Sequence, residues 1–195
     1  MPKKSHAVFE TEKKFRCDKI DELVAYALSM DFIITHENLS EHDIYFTDKD
    51  GTFIEQRICL RIRQTENHCE ITHKWQSKDT EAFYSKLENN INIAHDHKEN
   101  AITLLQSLWF LRYVDVKKNR NLYKKDGENI VYNIAIDHIE GAWHFVEFEI
   151  LSEKALEENQ IQSFFESFVD LFTDFGLQEE RLPYRDIVKE LSSKK

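Results

Sequence analysis

Glu10, Glu12 and Lys14 stand at every second position near the start of the chain. In a β-strand alternate side chains share a face, so two carboxylates and an ammonium would project together while Phe9 and Phe15 point the other way. Paired carboxylates suit a hard divalent cation, and a lysine beside them suits a phosphate oxygen.

Other charges recur at the same spacing. Arg57, Cys59, Arg61 and Arg63 would share one face of a strand, with Ile58, Leu60 and Ile62 behind them. Glu70, Thr72 and Lys74 oppose Ile71 and Trp75, and Lys118 shares a face with Arg120. Asn133, Ala135 and Asp137 oppose Ile134 and Ile136; Glu147 and Glu149 are backed by Val146, Phe148 and Ile150. Any one of these rows alone reads as the solvated face of an antiparallel sheet. Together they segregate, with acids on the first strand and near 137 and 149 and guanidinium groups near 62 and 119. A barrel with a polar lumen would bring both groups around one cavity, its apolar exterior covered by helices. Arginine and lysine there would grip a polyphosphate, and the acids would repel it unless Mg²⁺ or Mn²⁺ lay between. The inventory therefore points to a metal–triphosphate site.

The elements that must position these residues follow from periodicity. Strands are expected at about Ala7–Arg16, Asp43–Thr47, Ile54–Gln64, Cys69–Trp75, Tyr113–Tyr123, Ile130–Ile139 and Trp143–Leu151. Asp18 is expected to cap a helix carrying Ile20, Leu23, Val24, Ala27 and Leu28. Further helices are expected over Asp79–Leu87, Lys98–Phe110 and Ile161–Phe175, the last ended by Gly176, with a short one after Pro183. Phe164, Phe165, Phe168, Leu171, Phe172 and Phe175 form a stripe suited to core or dimer packing. His95 and His97 belong to a surface loop, and Tyr184 is a candidate to close over the mouth of the tunnel.

With 195 residues, 4 Gly, 2 Pro and no low-complexity linker, one domain over 1–195 is expected. Hydrophobic content of 41% with 14 Phe excludes a disordered chain. A net charge of -10 argues against a sequence-independent nucleic-acid coat. Cys17, Cys59 and Cys69 lack the spacing of a disulfide framework or zinc ribbon. No apolar run reaches membrane-spanning length, and the start, MPKKSHAVFE, has no signal-like apolar region, so a cytoplasmic protein without membrane or nucleic-acid partners is expected.

The ordered set of motifs resembles the CYTH superfamily, or triphosphate tunnel metalloenzymes. It consists of Glu-x-Glu-x-Lys at Glu10–Lys14, LRIR at Leu60–Arg63, Lys74, Lys118-Asn119-Arg120 with Tyr123, Asp137, and FVEFE at Phe145–Glu149. Within it, EHDIYFTDKDGTF at Glu41–Phe53, VKKNRNLY at Val116–Tyr123, IDHIEG at Ile136–Gly141 and FGLQEERLPYRDIV at Phe175–Val188 are similar to bacterial class IV adenylyl cyclases. One departure is Lys74-Trp75-Gln76, where members often have Lys-Gly-Pro. Another is Glu147-Phe148-Glu149, which resembles the triphosphatase branch equally well.

The resemblance implies an α+β fold: a closed, eight-stranded antiparallel β-barrel with a charged lumen, flanked by helices and usually homodimeric. It implies conversion of ATP to cyclic AMP and pyrophosphate with Mg²⁺ or Mn²⁺. The metal ligands it implies are Glu10, Glu12, Asp137, Glu147 and Glu149. Lys14, Arg61, Arg63, Lys74, Lys118 and Arg120 would hold the triphosphate, with Glu10, Glu12, Lys14 and Lys74 at the catalytic centre. Hydrolysis of thiamine triphosphate or inorganic tripolyphosphate is the alternative, and non-catalytic polyphosphate or nucleotide binding a further one.

Overall fold

The computed structural model describes residues 9–76, 86–152 and 158–193. The described chain forms nine strands: β1 (Phe9–Arg16), β2 (Ile33–Thr47), β3 (Cys59–Gln64), β4 (Cys69–Gln76), β5 (Lys86–Ile93), β6 (Leu111–Asp126), β7 (Ile130–Ile139), β8 (His144–Ser152) and β9 (Gln178–Glu179). The helices are α1 (Ile20–Ser29), α2 (Thr52–Glu55), α3 (Lys98–Ser107), α4 (Glu158–Asp170) and α5 (Tyr184–Ser193). All strands join one antiparallel sheet in the order β5-β4-β3-β2-β6-β7-β8-β1-β9.

The sheet curls strongly. The long β2–β6 ladder slips register at Ile34/His36, His36/Leu39 and Tyr45/Phe46. Such irregularities bend a strand and tighten its twist. The curl brings the first strand back to the far side of the sheet, where the Lys74 amine on β4 donates to Glu10 on β1 at 3.0 Å. Five strands separate β4 from β1 in the sheet order.

Closure into an eight-stranded barrel is not observed: among the described residues no ladder joins β5 to β1. The β1 edge that closure would need is partly taken. β9 pairs there with Phe15 and Arg16, and the Glu180 amide donates to the Lys14 carbonyl.

Helices cover the outer face as expected. α1, α4 and the turn after α4 pack Leu23, Ala27, Phe165, Phe168 and Phe172 on Phe15, Ile134, Val146 and Phe148. α3 sets Ala101, Ile102 and Leu105 on Ile44, Phe46, Leu60 and Ile62. α5 behaves differently. Its Tyr184 and Ile187 pack against Tyr45, Val116, Ile139 and Phe145, residues that share strand faces with Asp43, Lys118, Asp137 and Glu147. α5 therefore plugs one end of the concave, charged side of the sheet.

Local differences from the sequence expectations have identifiable causes. Residues 54–58 are not strand: Gly51 in a left-handed conformation (φ 77°) opens α2, Asp48 accepts from the Phe53 amide at 3.0 Å, and Arg57 turns the chain with φ 55°. The N-cap of α1 is Lys19 rather than Asp18, and no side chain caps it. The helix expected over 79–87 lies outside the described residues up to 85; Lys86 onward is already β5. Ala7 and Val8, the expected start of β1, also lie outside. α4 stops at Asp170, and a short 3-10 turn over Thr173–Phe175 carries the chain to Gly176 at φ 71°.

Candidate active site

Strand register places the expected site charges on the concave face, where a cavity of about 330 Å³ is lined by Glu10, Glu12, Lys14, Arg61, Arg63, Lys74, Lys118, Arg120, Glu147 and Glu149; Arg57, expected in the β3 row, sits in the preceding turn. Glu12 lies opposite Glu149, Lys14 opposite Glu147, and Arg120 opposite Asp137. Directly opposed residues of antiparallel strands share a face, and the segregation expected from sequence holds only in part: Glu10, Glu12 and Glu149 group together, whereas Asp137 and Glu147 interleave with Lys118 and Arg120.

At one side, oxygens of Glu10, Glu12 and Glu149 lie within 4.8 Å of one another. Burial, reinforced by Glu12, pushes the Glu10 carboxyl well above its ordinary range even though Lys74 opposes the shift. Burial also raises Glu149, with Glu12 adding to the effect against the hydrogen bond from Asn133. That bond is 2.6 Å long and orients the carboxylate. Like charges held this close in a desolvated place are costly without a counter-charge. An all-oxygen cluster of this kind matches the donor set of Mg²⁺ or Mn²⁺.

Asp137 and Glu147, expected among the metal ligands, stand outside that group. Asp137 is fully buried and accepts from Lys118 at 3.0 Å and from the Arg120 fork at 2.7 and 2.6 Å. Burial would raise its carboxyl; Lys118 and Arg120 outweigh burial and hold it far below the ordinary value. Glu147 pairs with Arg120 from the other side. Arg120 is correspondingly raised, since Asp137 and Glu147 outweigh the burial that disfavours its charge.

Glu41 and Asp43 matter to the site but were not assigned a role in it from sequence. Asp43 takes the Arg63 fork at 2.6 and 2.7 Å and Arg61 at 3.4 Å. Glu41 lies 3.2 Å from both Arg63 and Lys118. Their signal in the sequence was the alternation Glu41, Asp43, Tyr45 on β2, a row of the same kind as the others. Tyr184, the candidate to close over the tunnel mouth, lines the cavity with its ring 4.0 Å from the Lys14 amine and 5.0 Å from that of Lys118. The Lys14 amine also donates to the Leu182 carbonyl. Arg185 on α5 donates to the carbonyls of Ile58 and Ile54, tying the plug to the turn before β3. His95 forms part of an exposed turn and bonds Gln64 and Thr65; the rings of His138 and His144 lie 4.4 Å apart, tilted by 34°, on paired strand ends and do not line the cavity.

The CYTH domain model matches residues 9–183. The chain belongs to the CYTH family. A protein of Methanocaldococcus jannaschii named "Putative adenylate cyclase" is 28% identical to this CYTH chain over 142 residues, which are 73% of this chain and 77% of that one. The fold is shared with a Vibrio parahaemolyticus structure described as a putative adenylate cyclase: TM-score 0.71, 22% identity, 95% of this chain and 98% of that chain covered. It is shared too with a Hippeastrum protein described as a putative adenylyl cyclase with a dominant triphosphatase activity: TM-score 0.67, 14% identity, 97% of each chain covered. CYTH proteins are metal-dependent enzymes, and the acidic cluster suits that chemistry. Among the described residues no helix is long and apolar enough to cross a membrane.

Proposed function

We propose that this CYTH protein converts ATP to cyclic AMP and pyrophosphate in the lumen of its curled sheet, which works as a tunnel. The observation that carries this reading is the meeting, in one cavity, of three clustered carboxylates with Arg61, Arg63, Lys118 and Arg120. Glu10, Glu12 and Glu149 would hold Mg²⁺ or Mn²⁺, and a cation there would supply Lewis-acid activation and charge neutralisation. Arg61, Arg63, Lys118 and Arg120 would bind the β- and γ-phosphates and stabilise charge on the departing pyrophosphate. Lys14 and Lys74, both in the cavity lining, would fix the position of the chain of phosphates. The ribose 3′-hydroxyl oxygen forms a bond to the α-phosphorus as the bond from that phosphorus to the bridging oxygen breaks, and the hydroxyl proton leaves with the released pyrophosphate or to solvent.

Hydrolysis of thiamine triphosphate or inorganic tripolyphosphate is the second reading, supported by the activity described for the Hippeastrum neighbour and by the acidic pair on β8. Incubating purified protein with ATP and Mn²⁺, then separating the products, distinguishes the two. The cyclase reading expects cyclic AMP and pyrophosphate in equal amounts. Rapid release of orthophosphate from ATP or tripolyphosphate with no cyclic AMP would replace it with the hydrolase.

A further inference from the structure

Behind the cations that line the cavity stands a second layer of acids that does not. Glu41, Asp43 and Asp137 are 5%, 1% and 0% exposed and are absent from the cavity lining, whereas the residues they contact, Arg61, Arg63, Lys118 and Arg120, line it. Two of these contacts are the same motif built twice. Asp43 grips Arg63 through Nε and Nη2, and Asp137 grips Arg120 through Nε and Nη2. Each pair sits directly across a ladder, Asp43 opposite Arg63 and Arg120 opposite Asp137. Glu41, directly opposite Lys118, joins the two halves by lying between Arg63 and Lys118. An unbroken alternation of charge therefore crosses five strands: Arg61, Asp43, Arg63, Glu41, Lys118, Asp137, Arg120, Glu147.

We infer that Glu41 and Asp43 are positioning residues for the triphosphate: they lock Arg61, Arg63 and Lys118 into the orientations that the phosphate chain meets. The inference rests on the triphosphate reading of the cavity. A bidentate fork fixes the plane of a guanidinium, and a side chain ordered before binding loses less entropy when the ligand arrives. The same carboxylates also place negative charge near an anion site, which by itself weakens anion binding. These two effects predict opposite signs, so the direction of change on neutralisation is decisive.

The variants are Glu41→Gln and Asp43→Asn, which keep shape while removing charge. The probe is inorganic tripolyphosphate without metal, titrated calorimetrically, with Mn²⁺ affinity measured separately by its paramagnetic resonance signal. Positioning expects tripolyphosphate to bind about 10-fold more weakly to each variant, the cost of re-ordering one or two long side chains. It expects Mn²⁺ affinity to stay within about 2-fold, because Glu10, Glu12 and Glu149 keep their partners. For turnover, KM rises more than kcat falls. Equal or tighter tripolyphosphate binding by folded variants would overturn the positioning role and leave the triphosphate reading standing. Absence of tripolyphosphate binding by the unaltered protein would overturn both. Should Asp43→Asn fail to fold, Glu41→Gln, which leaves both forks intact, decides the matter alone.

Discussion

Single side chains here are placed by opposed demands. Glu10 and Glu149 are raised because burial and neighbouring carboxylates disfavour their charge, whereas Asp43 and Asp137 are depressed because arginine and lysine partners outweigh burial. A raised carboxyl contributes stability that is present below its ordinary value, near ~4.3 for Glu, and is lost as pH rises through the raised value. A depressed carboxyl contributes stability that is present above its ordinary value, near ~3.9 for Asp, and is lost as pH falls through the depressed one. The metal-free protein should therefore be most stable in mild acid, weakening toward neutral pH and again below about pH 4. Mn²⁺ should remove the neutral-side weakening by compensating Glu10 and Glu149. Melting temperatures across pH, with chelator and with Mn²⁺, check this; a chelated protein that only gains stability from pH 5 to 8 would contradict it. Glu12→Ala should abolish turnover while tripolyphosphate binding persists, as separate product and calorimetric assays would show. Unchanged turnover would remove Glu12 from the site. At this scale the sequence was informative where charges alternated with apolar residues on recognisable motifs. It was less so for Glu41 and Asp43, whose partners lie on β3 and β6 and become visible only once the ladders set them opposite.

At the scale of elements, legibility followed periodicity. β7 runs from Ile130 to Ile139, as the alternation of Asn133, Ala135 and Asp137 with Ile134 and Ile136 predicts. β2 runs far beyond the expected Asp43–Thr47 because it pairs with β6 along its length, and its extension carries polar residues such as His36 and Asn38. The Asn38 amide donates to the Asn121 side chain at 2.7 Å in one of the irregular stretches. Such partner-driven extension has no local signature. α5 shows the same limit: a short helix is expected after Pro183, but a helix does not say which side of a sheet it will meet. The outer packing gives a sharper expectation. Phe148 is fully buried and touches the rings of Phe15, Phe168 and Phe172. Phe148→Ala should cost about 3–5 kcal/mol in denaturant unfolding. Because its neighbours Glu147 and Glu149 carry the site on the opposite face, the variant should also lose tripolyphosphate affinity at temperatures where it remains folded. Gly176→Ala meets no atom within 4 Å, so its cost, about 1 kcal/mol, comes from the left-handed backbone alone.

For the molecule as a whole, the telling feature is the contact between sheet regions that share no ladder. Lys74 reaches across to Glu10 at 3.0 Å and to Glu12 at 3.5 Å, so the amine expected to hold phosphate is engaged with the carboxylates expected to hold the cation. A cation that neutralises Glu10 and Glu12 weakens their hold on Lys74, and a phosphate that draws Lys74 away leaves those carboxylates with more reason to take a cation. Each ligand should then raise the affinity for the other by the same factor, as reciprocity requires. Calorimetry expects Mn²⁺ to tighten tripolyphosphate binding, and tripolyphosphate to tighten Mn²⁺ binding, after correction for the complex the two form in solution. In Lys74→Ala the contribution of this exchange should vanish. On the proposed function, the lysine bridge would make the protein a reader of pairs: selectivity would lie in the cation and the phosphate chain arriving joined.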